Sequence, residues 1–379
     1  MLGDNSRMCS RCVMDSTAQG IEFDENGVCN YCRDFERNIG KYFEEDAQKR
    51  GSLRERFIDE VKARGKGKQF DCIVGVSGGV DSSWTLVKTK ELGLRPLAVH
   101  MDNGWNSELA QNNISNLVRG LGVELYTHVI EWPEYRGLMD AFFASDVIDI
   151  ELLYDNAMLA LNYQQAAKYG LRYILAGTNV STEGMRMPSN WNWSKYDEKN
   201  IKAISKRFGG PKLKTFPSIG TRSFLWYAFV KRIRWVSFLD MINYRKEKAL
   251  ERLTQDFGYK PYAQKHYESV FTRFYQGYIL PEKFGVDKRK LHWSTLVLTN
   301  QVTRADALKA LGASPYPSEW ELQQDIAYFI KKMAWTEEAL DRYISREEVP
   351  HDHYGSERKA WEKLLSIYRS IKKRKAIRN

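Results

Sequence analysis

Two clusters of residues have the types and the spacing to do chemistry. The first is SGGVDSS, Ser77 to Ser83, which interrupts the segment FDCIVGVSGGVDSSWTLVKTK between Phe70 and Lys90. The residues before it are rich in Val, Ile and Phe, as a buried strand requires. After it, Trp84, Leu86, Val87 and Leu92 fall at helical spacing, and ELGLRP ends that helix at Gly93 and Pro96. Two glycines and three serines therefore stand where a strand hands over to a helix N-terminus, with its unpaired N–H groups and positive dipole end. Such a junction is a phosphate cradle. A Gly-Gly pair alone is satisfied by a tight turn. Ser77, Asp81, Ser82 and Ser83 add donors and, in Asp81, a carboxylate of the kind that holds magnesium. The Gly-x-x-x-x-Gly-Lys-Ser/Thr loop is absent, and GKGK at Gly65 to Lys68 lacks its spacing, so the nucleotide loop is of a different kind.

The second cluster is made of cysteines. Cys9-x-x-Cys12 and Cys29-x-x-Cys32 are separated by sixteen residues. Two thiolate pairs at this spacing are the donor set of a four-cysteine zinc site, in which two knuckles enclose one tetrahedral ion. A disulfide pair suits an oxidising compartment, and a redox Cys-x-x-Cys needs no second copy. With sulfur in all four positions, the metal would hold the fold together and take no part in the reaction. The fifth cysteine, Cys72, falls inside the apolar run before the loop, a poor setting for a nucleophile.

The elements that must position these clusters can be read along the chain. Residues 1–45 form the zinc module, with Asn26-Gly27 as the turn into the second knuckle, and a charged helical connector runs through Arg64. After the loop and its helix, RPLAVHMDNGW gives a second strand, and a helix spans about Ser107 to Leu121. GVELYTHVIEW gives a third strand, YDNAMLALNYQQAAKYG a helix, and RYILAGTNVSTEG a fourth strand with a polar exit. Strand and helix alternate at the spacing of parallel crossovers, so residues 46–220 are expected to be α/β, a doubly wound parallel sheet. Ligands bind outside the carboxyl ends of such strands. That rule selects Ser77 to Ser83, then Asp102 and Asn103, then Gly177, Thr178, Asn179 and Glu183.

Beyond about residue 220 a mostly helical region, 221–379, is expected to contact substrate or partners. RSFLWYAFVKRIRWVSFLDMI places Leu225, Phe229, Ile233, Val236 and Leu239 on one helical stripe, a packing face that leaves peripheral membrane contact open. Between Gly258 and Ser294, aromatics mix with Lys265, His266, Glu268, Arg273, Lys283, Lys288 and Arg289, a composition that stacks a ring and binds phosphates. His351-x-His353 reads as an exposed turn before a last helix.

With 379 residues, 43% of them hydrophobic and 28% charged, the chain is globular in composition and can bury a substantial core. MLGDNSRMCSRC has no apolar stretch of signal-peptide length, and no segment reaches the roughly eighteen apolar residues of a membrane span, so a cytoplasmic protein is expected. A net charge of +10 points to an anionic partner, and the tail YRSIKKRKAIRN, strongly basic, reads equally as a solvated helix end or as an RNA or lipid contact.

SGGVDSS resembles the Ser-Gly-Gly-x-Asp-Ser signature of the ATP pyrophosphatases, which have the PP-loop, adenine nucleotide alpha hydrolase-like fold. Taken with MCSRCVMD, GVCNYC, AGTNVSTEG and KHYESVFTRFYQGYILPEKFGVDKRK, it is similar to the N-acetyl sugar amidotransferases of that group. Members convert an acetamido group on a nucleotide-linked sugar to an acetamidino group during bacterial surface polysaccharide synthesis. The resemblance implies that Ser77, Gly78, Gly79, Asp81, Ser82 and Ser83 bind ATP phosphates, with Gly177 and Thr178 beside them. It implies magnesium on Asp81 and Glu183, a pyrophosphate clamp in Lys288 and Arg289, and a nucleotide sugar as substrate. Lys265, His266, Glu268 and Arg273 are the expected substrate contacts. The adenylated imidate would accept ammonia, imported from a separate glutaminase and its channel-forming partner, since neither Cys72 nor Leu2 provides a glutaminase nucleophile. A homodimer is also implied. The rival reading is a tRNA-modifying ATP pyrophosphatase, to which the basic charge and zinc module would be suited. Thiolation would require further cysteines beyond Cys72, an objection that a tRNA enzyme using an amine as nucleophile escapes; of the two, the nucleotide sugar and not a nucleic acid is the expected substrate. A scaffold that only binds nucleotide is the third reading.

Overall fold

In the computed structural model, residues 7–44, 47–262, 267–316, 318–364 and 366 are described. Five parallel strands form one sheet in the order β3-β2-β1-β4-β5: β1 Cys72–Gly75, β2 Pro96–Asp102, β3 Glu124–Val129, β4 Tyr173–Ala176 and β5 Arg234–Ser237. The period-2 alternation of β1, β2, β4 and β5 feeds two cores, while β3 at the sheet edge is largely exposed. Ile73, Leu97, Val99, Met101 and Ile174 face one side. Val74, Ala98, Tyr173, Leu175 and Val236 face the other.

The short helix α1, Asn30–Phe35, closes the cysteine module, and α2, Ala47–Gly65, leads to the sheet. With α3, Val80–Glu91, and α4, Glu108–Leu121, α2 covers the second face. The other face packs on α5, Trp132–Ala144, and α6, Leu152–Lys168. α4 keeps the bounds its sequence dictates, because Ser107 accepts the Ala110 N–H at its start and Gly122, at φ +58°, ends it. α7, Val180–Glu183, is a single turn capped by Asn179, which accepts the Thr182 N–H at 2.9 Å.

The single helix expected between Arg222 and Ile242 does not form. Thr221–Leu225 is helical, Trp226–Val230 is a wider π-type turn, and Arg232 takes φ +55°. Arg234–Ser237 then becomes the fifth strand, with the Arg234 N–H on the Arg172 carbonyl at 2.8 Å. The exposed edge of β4 supplies a row of hydrogen-bond partners that no local propensity registers. The stripe is accordingly split: Val236 and Leu239 are buried, but Phe229 is 65% exposed. The sheet is therefore completed from beyond residue 220.

The C-terminal region is helical. α8, Lys246–Phe257, packs on α3, and residues 268–270 pair with the exit of β2 through Ser107 N–H on Glu268 O and Val270 N–H on Trp105 O, both 2.9 Å. α9, Arg289–Leu298, and α10, Arg304–Gly312, lie against the cysteine module, while α11, Glu319–Met333, and α12, Glu337–Ser345, bring Phe329 and Tyr343 onto Phe143. His351 is buried against Trp193, correcting the exposed turn; its Nε2 accepts the Asp149 N–H at 3.1 Å. No helix of the described residues is long and apolar enough to cross a membrane.

A candidate nucleotide site and the cavity beside it

The strand order reverses between β1 and β4, so the loops leaving these two strands diverge and open a crevice. A cavity of about 340 Å³ lies there. Its walls include Ser77, Gly79, Asp81 and Ser82 from the first loop and Gly177, Thr178 and Glu183 from the second. Met158, Leu161, Ile174 and Trp235 make an apolar end.

The first loop is held by its own hydroxyls. Ser82 Oγ takes the Ser77 N–H at 3.2 Å, and Ser77 Oγ takes the Gly79 N–H at 3.3 Å. The first-turn N–H groups of Val80, Asp81 and Ser82 have no helical acceptor and form the positive end of α3. Gly78 has φ +87°, and a Cβ there would lie 2.9 Å from the Ala110 carbonyl. At Gly177 a Cβ would meet the Asp81 and Ser82 backbone at 2.8 Å, so the second loop touches the first only because this residue is glycine.

Three tyrosines that the sequence reading did not single out hold the loop from outside. Tyr259 and Tyr262 donate to the Gly78 carbonyl at 3.0 and 3.1 Å. Tyr244 donates to Asp81 Oδ1; burial, then the Asp81 carboxylate, raises its phenol above the ordinary range. Asp240 accepts the Val180 N–H at 2.8 Å at the start of α7, and burial, opposed by that bond, pushes its carboxyl up to about 6. Asn162 also belongs to the wall: its Nδ2 donates to Met158 O at 2.8 Å, and its buried Oδ1 has no hydrogen-bond partner among the described residues.

A second cavity, of about 1060 Å³, adjoins the first. Ser77, Tyr154, Glu183, Lys246 and Glu268 line both. Glu268 lies hard against the loop: a Cβ on Gly79 would stand 2.1 Å from its Oε1. Lys246 is the first residue of α8, where the helix dipole disfavours a cation. Further in, Lys195 joins Asp149 at 2.6 Å and Asp155 at 2.9 Å, and Lys288 joins Glu151 at 2.8 Å. Burial and the Glu151 and Asp149 carboxylates hold the Asp155 carboxyl above its ordinary range despite Lys195.

The site residues expected from sequence are thus distributed unequally. Ser77, Gly79, Asp81, Ser82, Gly177, Thr178 and Glu183 converge on the smaller cavity, and Glu268 joins both. Gly78 shapes the loop from behind. Ser83 is buried under it and belongs to neither wall. Asp102 is also in neither wall, because its carboxylate closes the β2 exit turn on the Gly104 N–H at 2.8 Å. Lys288 and Arg289 line the larger cavity and not the one with the phosphate loop; Arg289 is engaged by Asp287 at 2.8 Å. Arg273 is spent on buried Asp325, 2.6 Å from Nε and 2.5 Å from Nη2, and reaches neither wall. Lys265, His266 and the basic tail from Tyr368 lie outside the described residues.

The four thiols Cys9, Cys12, Cys29 and Cys32 are buried with all Sγ atoms within 4.8 Å of one another. Sγ separations of 3.8 Å for Cys9–Cys32 and Cys12–Cys29 and 3.6 Å for Cys29–Cys32 fit a tetrahedral ion, since thiolates about 2.3 Å from a centre lie about 3.8 Å apart.

A doubly wound parallel sheet with an anion loop at its switch point defines the class as a nucleotide-binding α/β protein. Residues 268–368 match the family model described as LPS biosynthesis protein WbpG-like, C-terminal domain. This match supports the N-acetyl sugar amidotransferase family for the chain. A segment of 71 residues is 39% identical to a glutamine-hydrolyzing GMP synthase from Pyrobaculum aerophilum, covering 18% of this chain and 14% of that protein. Among solved structures, an NMN synthetase from Francisella tularensis is 17% identical over 57% of this chain and 99% of its own, with a TM-score of 0.27. The NH3-dependent NAD synthetase from Campylobacter jejuni is 18% identical over 58% of this chain and 100% of its own, at 0.28. The U34-tRNA thiolase NcsA from Methanococcus maripaludis, solved with its 4Fe-4S cluster, is 12% identical over 78% and 89%, at 0.34.

Proposed function

We propose that the chain is an ATP-dependent, AMP-forming amidotransferase that turns the acetamido group of a nucleotide-linked N-acetyl sugar into an acetamidino group, in bacterial lipopolysaccharide and O-antigen synthesis. The observation that carries this reading is the junction of the two cavities at Ser77, Tyr154, Glu183, Lys246 and Glu268. ATP in the smaller cavity, phosphates on the α3 N-terminus, would present its α-phosphate to a second substrate in the larger one. The apolar end suits a base, and Asn162 Oδ1 is an acceptor available to an adenine amino group.

An amide carbon is a poor electrophile, so the oxygen must first become a leaving group. The amide oxygen attacks the α-phosphorus and pyrophosphate departs. Ammonia then adds to the imidate carbon, AMP leaves with the former carbonyl oxygen, and loss of a proton yields the amidine. The chain's contribution is to align reactants and offset charge. Lys246, at the junction, is the cation we assign to the α-phosphate. Lys288 and Arg289, in the larger cavity, are assigned to the anionic substrate and not to the clamp on departing pyrophosphate. Asp81 and Glu183 would hold magnesium, which neutralises phosphate charge when bound. Cys9, Cys12, Cys29 and Cys32 would hold a structural zinc.

Ammonia must come from elsewhere. Cys72 is buried in β1 and desolvation pushes its thiol up, which removes it as a glutaminase nucleophile. A separate cytoplasmic glutaminase and channel-forming partner would supply it. The deciding assay gives purified protein ATP, magnesium and ammonium salt with either a UDP-diacetamido-uronic acid or bulk tRNA. Sugar-dependent AMP release, with a product lighter by the difference between O and NH, is the expected result. Release with tRNA alone would move the activity to nucleic acid modification.

A further inference from the structure

The cysteine module contributes nothing to the wall of the smaller cavity, yet it grips two walls of the larger one. One is α9, whose Lys288, Leu291, His292 and Thr295 side faces the cavity. On its other side, buried Ser294 accepts the Val13 N–H at 3.1 Å, and Lys290 pairs with Asp15, just past the first knuckle. From the next helix Arg304 donates to the carbonyls of Cys12 and Cys9 at 3.0 and 2.8 Å. The other wall is the segment 185–193, which brings Met185, Met187 and Asn192 to the cavity. It is tied to the module by Asn190 Nδ2 and Trp191 Nε1, both donating to the Thr17 carbonyl, and by the Arg186–Asp34 pair at 3.3 Å.

The backbone groups held by α9 and Arg304 belong to the metal-binding loop itself. Four thiolates crowded together repel one another unless an ion neutralises them, so the loop keeps this shape only when the metal is bound. We propose that Ser294, Lys290 and Arg304 are positioning residues through which the metal-loaded cysteine module sets the shape of the acceptor cavity, leaving the phosphate loop Ser77 to Ser83 unaffected. The acceptor part rests on the function proposed above; the mechanical part does not.

Two measurements separate them. In hydrogen–deuterium exchange on the full chain, metal removal should speed exchange in residues 185–193 and 289–298 at least about tenfold while leaving 72–91 within about twofold. Equal loosening of 72–91, or no change anywhere, overturns the coupling. The second uses Arg304→Met, with Arg304→Lys as the conservative rescue. Arg304→Met should raise the KM for a UDP-diacetamido-uronic acid about tenfold or more, as loss of its two charge-assisted bonds to the module implies, at constant kcat and unchanged affinity for a non-hydrolysable ATP analogue. Arg304→Lys should restore most of it. A rise in ATP-analogue Kd equal to the KM rise overturns the proposal. Selective exchange with an unmoved KM would overturn the acceptor assignment and leave the coupling standing.

Discussion

The two cavities are built by different means. The smaller one is backbone architecture: two strand exits, two glycines that permit close approach, and first-turn N–H groups that have no helical acceptor. The larger one is side-chain architecture, closed by the ion pairs Lys195–Asp149 and Lys288–Glu151 between elements distant in sequence. Under the function proposed above, the backbone site takes the polyphosphate. Paired side chains can be exchanged singly, so under that function the second cavity is where selectivity for an acceptor would reside.

The sharpest contrast comes from Asp81→Asn. The amide still accepts from Tyr244, so the melting temperature should hold, while AMP release falls by about 100-fold or more through loss of the carboxylate that would hold magnesium at the phosphates. Unchanged turnover would remove Asp81 from the site. Lys288→Met should act on the other cavity, raising acceptor KM about tenfold with ATP affinity unchanged, and destabilising the fold because Glu151 loses its cation. Adding Glu151→Gln should recover that stability but not the KM, measured by urea unfolding and steady-state kinetics.

Proton linkage distinguishes the two ends with opposite signs. Burial holds His351, behind Lys195, down to about 3 against the ordinary 6.5, so the unfolded chain alone takes up a proton between these values and stability falls as pH drops through that window. Asp240, beside the nucleotide cavity, is raised from 3.8 to about 6; its native form keeps a proton that the unfolded chain has lost, so its contribution fades as pH rises through that range. His351→Gln and Asp240→Asn should flatten the respective slopes of urea midpoint against pH. The smallest effect is expected from Cys72→Ala: activity within about twofold, a stability loss of about 1 kcal/mol, and, in the parent, a thiol inert to alkylation while folded.

Much of the nucleotide site was legible in the chain because its parts are local. SGGVDSS is one strand-to-helix junction, and Gly177-Thr178 is another at the same sheet edge. The rule of strand ends also selected Asp102, and there it failed, because a carboxylate two residues before a glycine closes a turn as readily as it faces a ligand. Ser83 failed for a related reason: α3 begins at Val80, which rotates the last serine of the run into the core. Tyr244, Tyr259 and Tyr262 gave no signal, since a tyrosine packed for its ring and one held for its hydroxyl look alike in sequence. Lys246 had one clue, a cation at the first position of a helix, visible only once the helix boundary is known.

The glycine-rich strand-to-helix junction, the cysteine tetrad and the parallel α/β order could be read from local residues alone, because each rests on contacts within a few residues or on a repeated local period. Tertiary structure decided the rest. Pairing with the open edge of β4 turned an apparent helix into β5, and a salt bridge across more than a hundred residues closed the second cavity around Lys288. Both depend on which surfaces remain unsatisfied after the local elements form, and that is a property of the assembled chain, not of any segment.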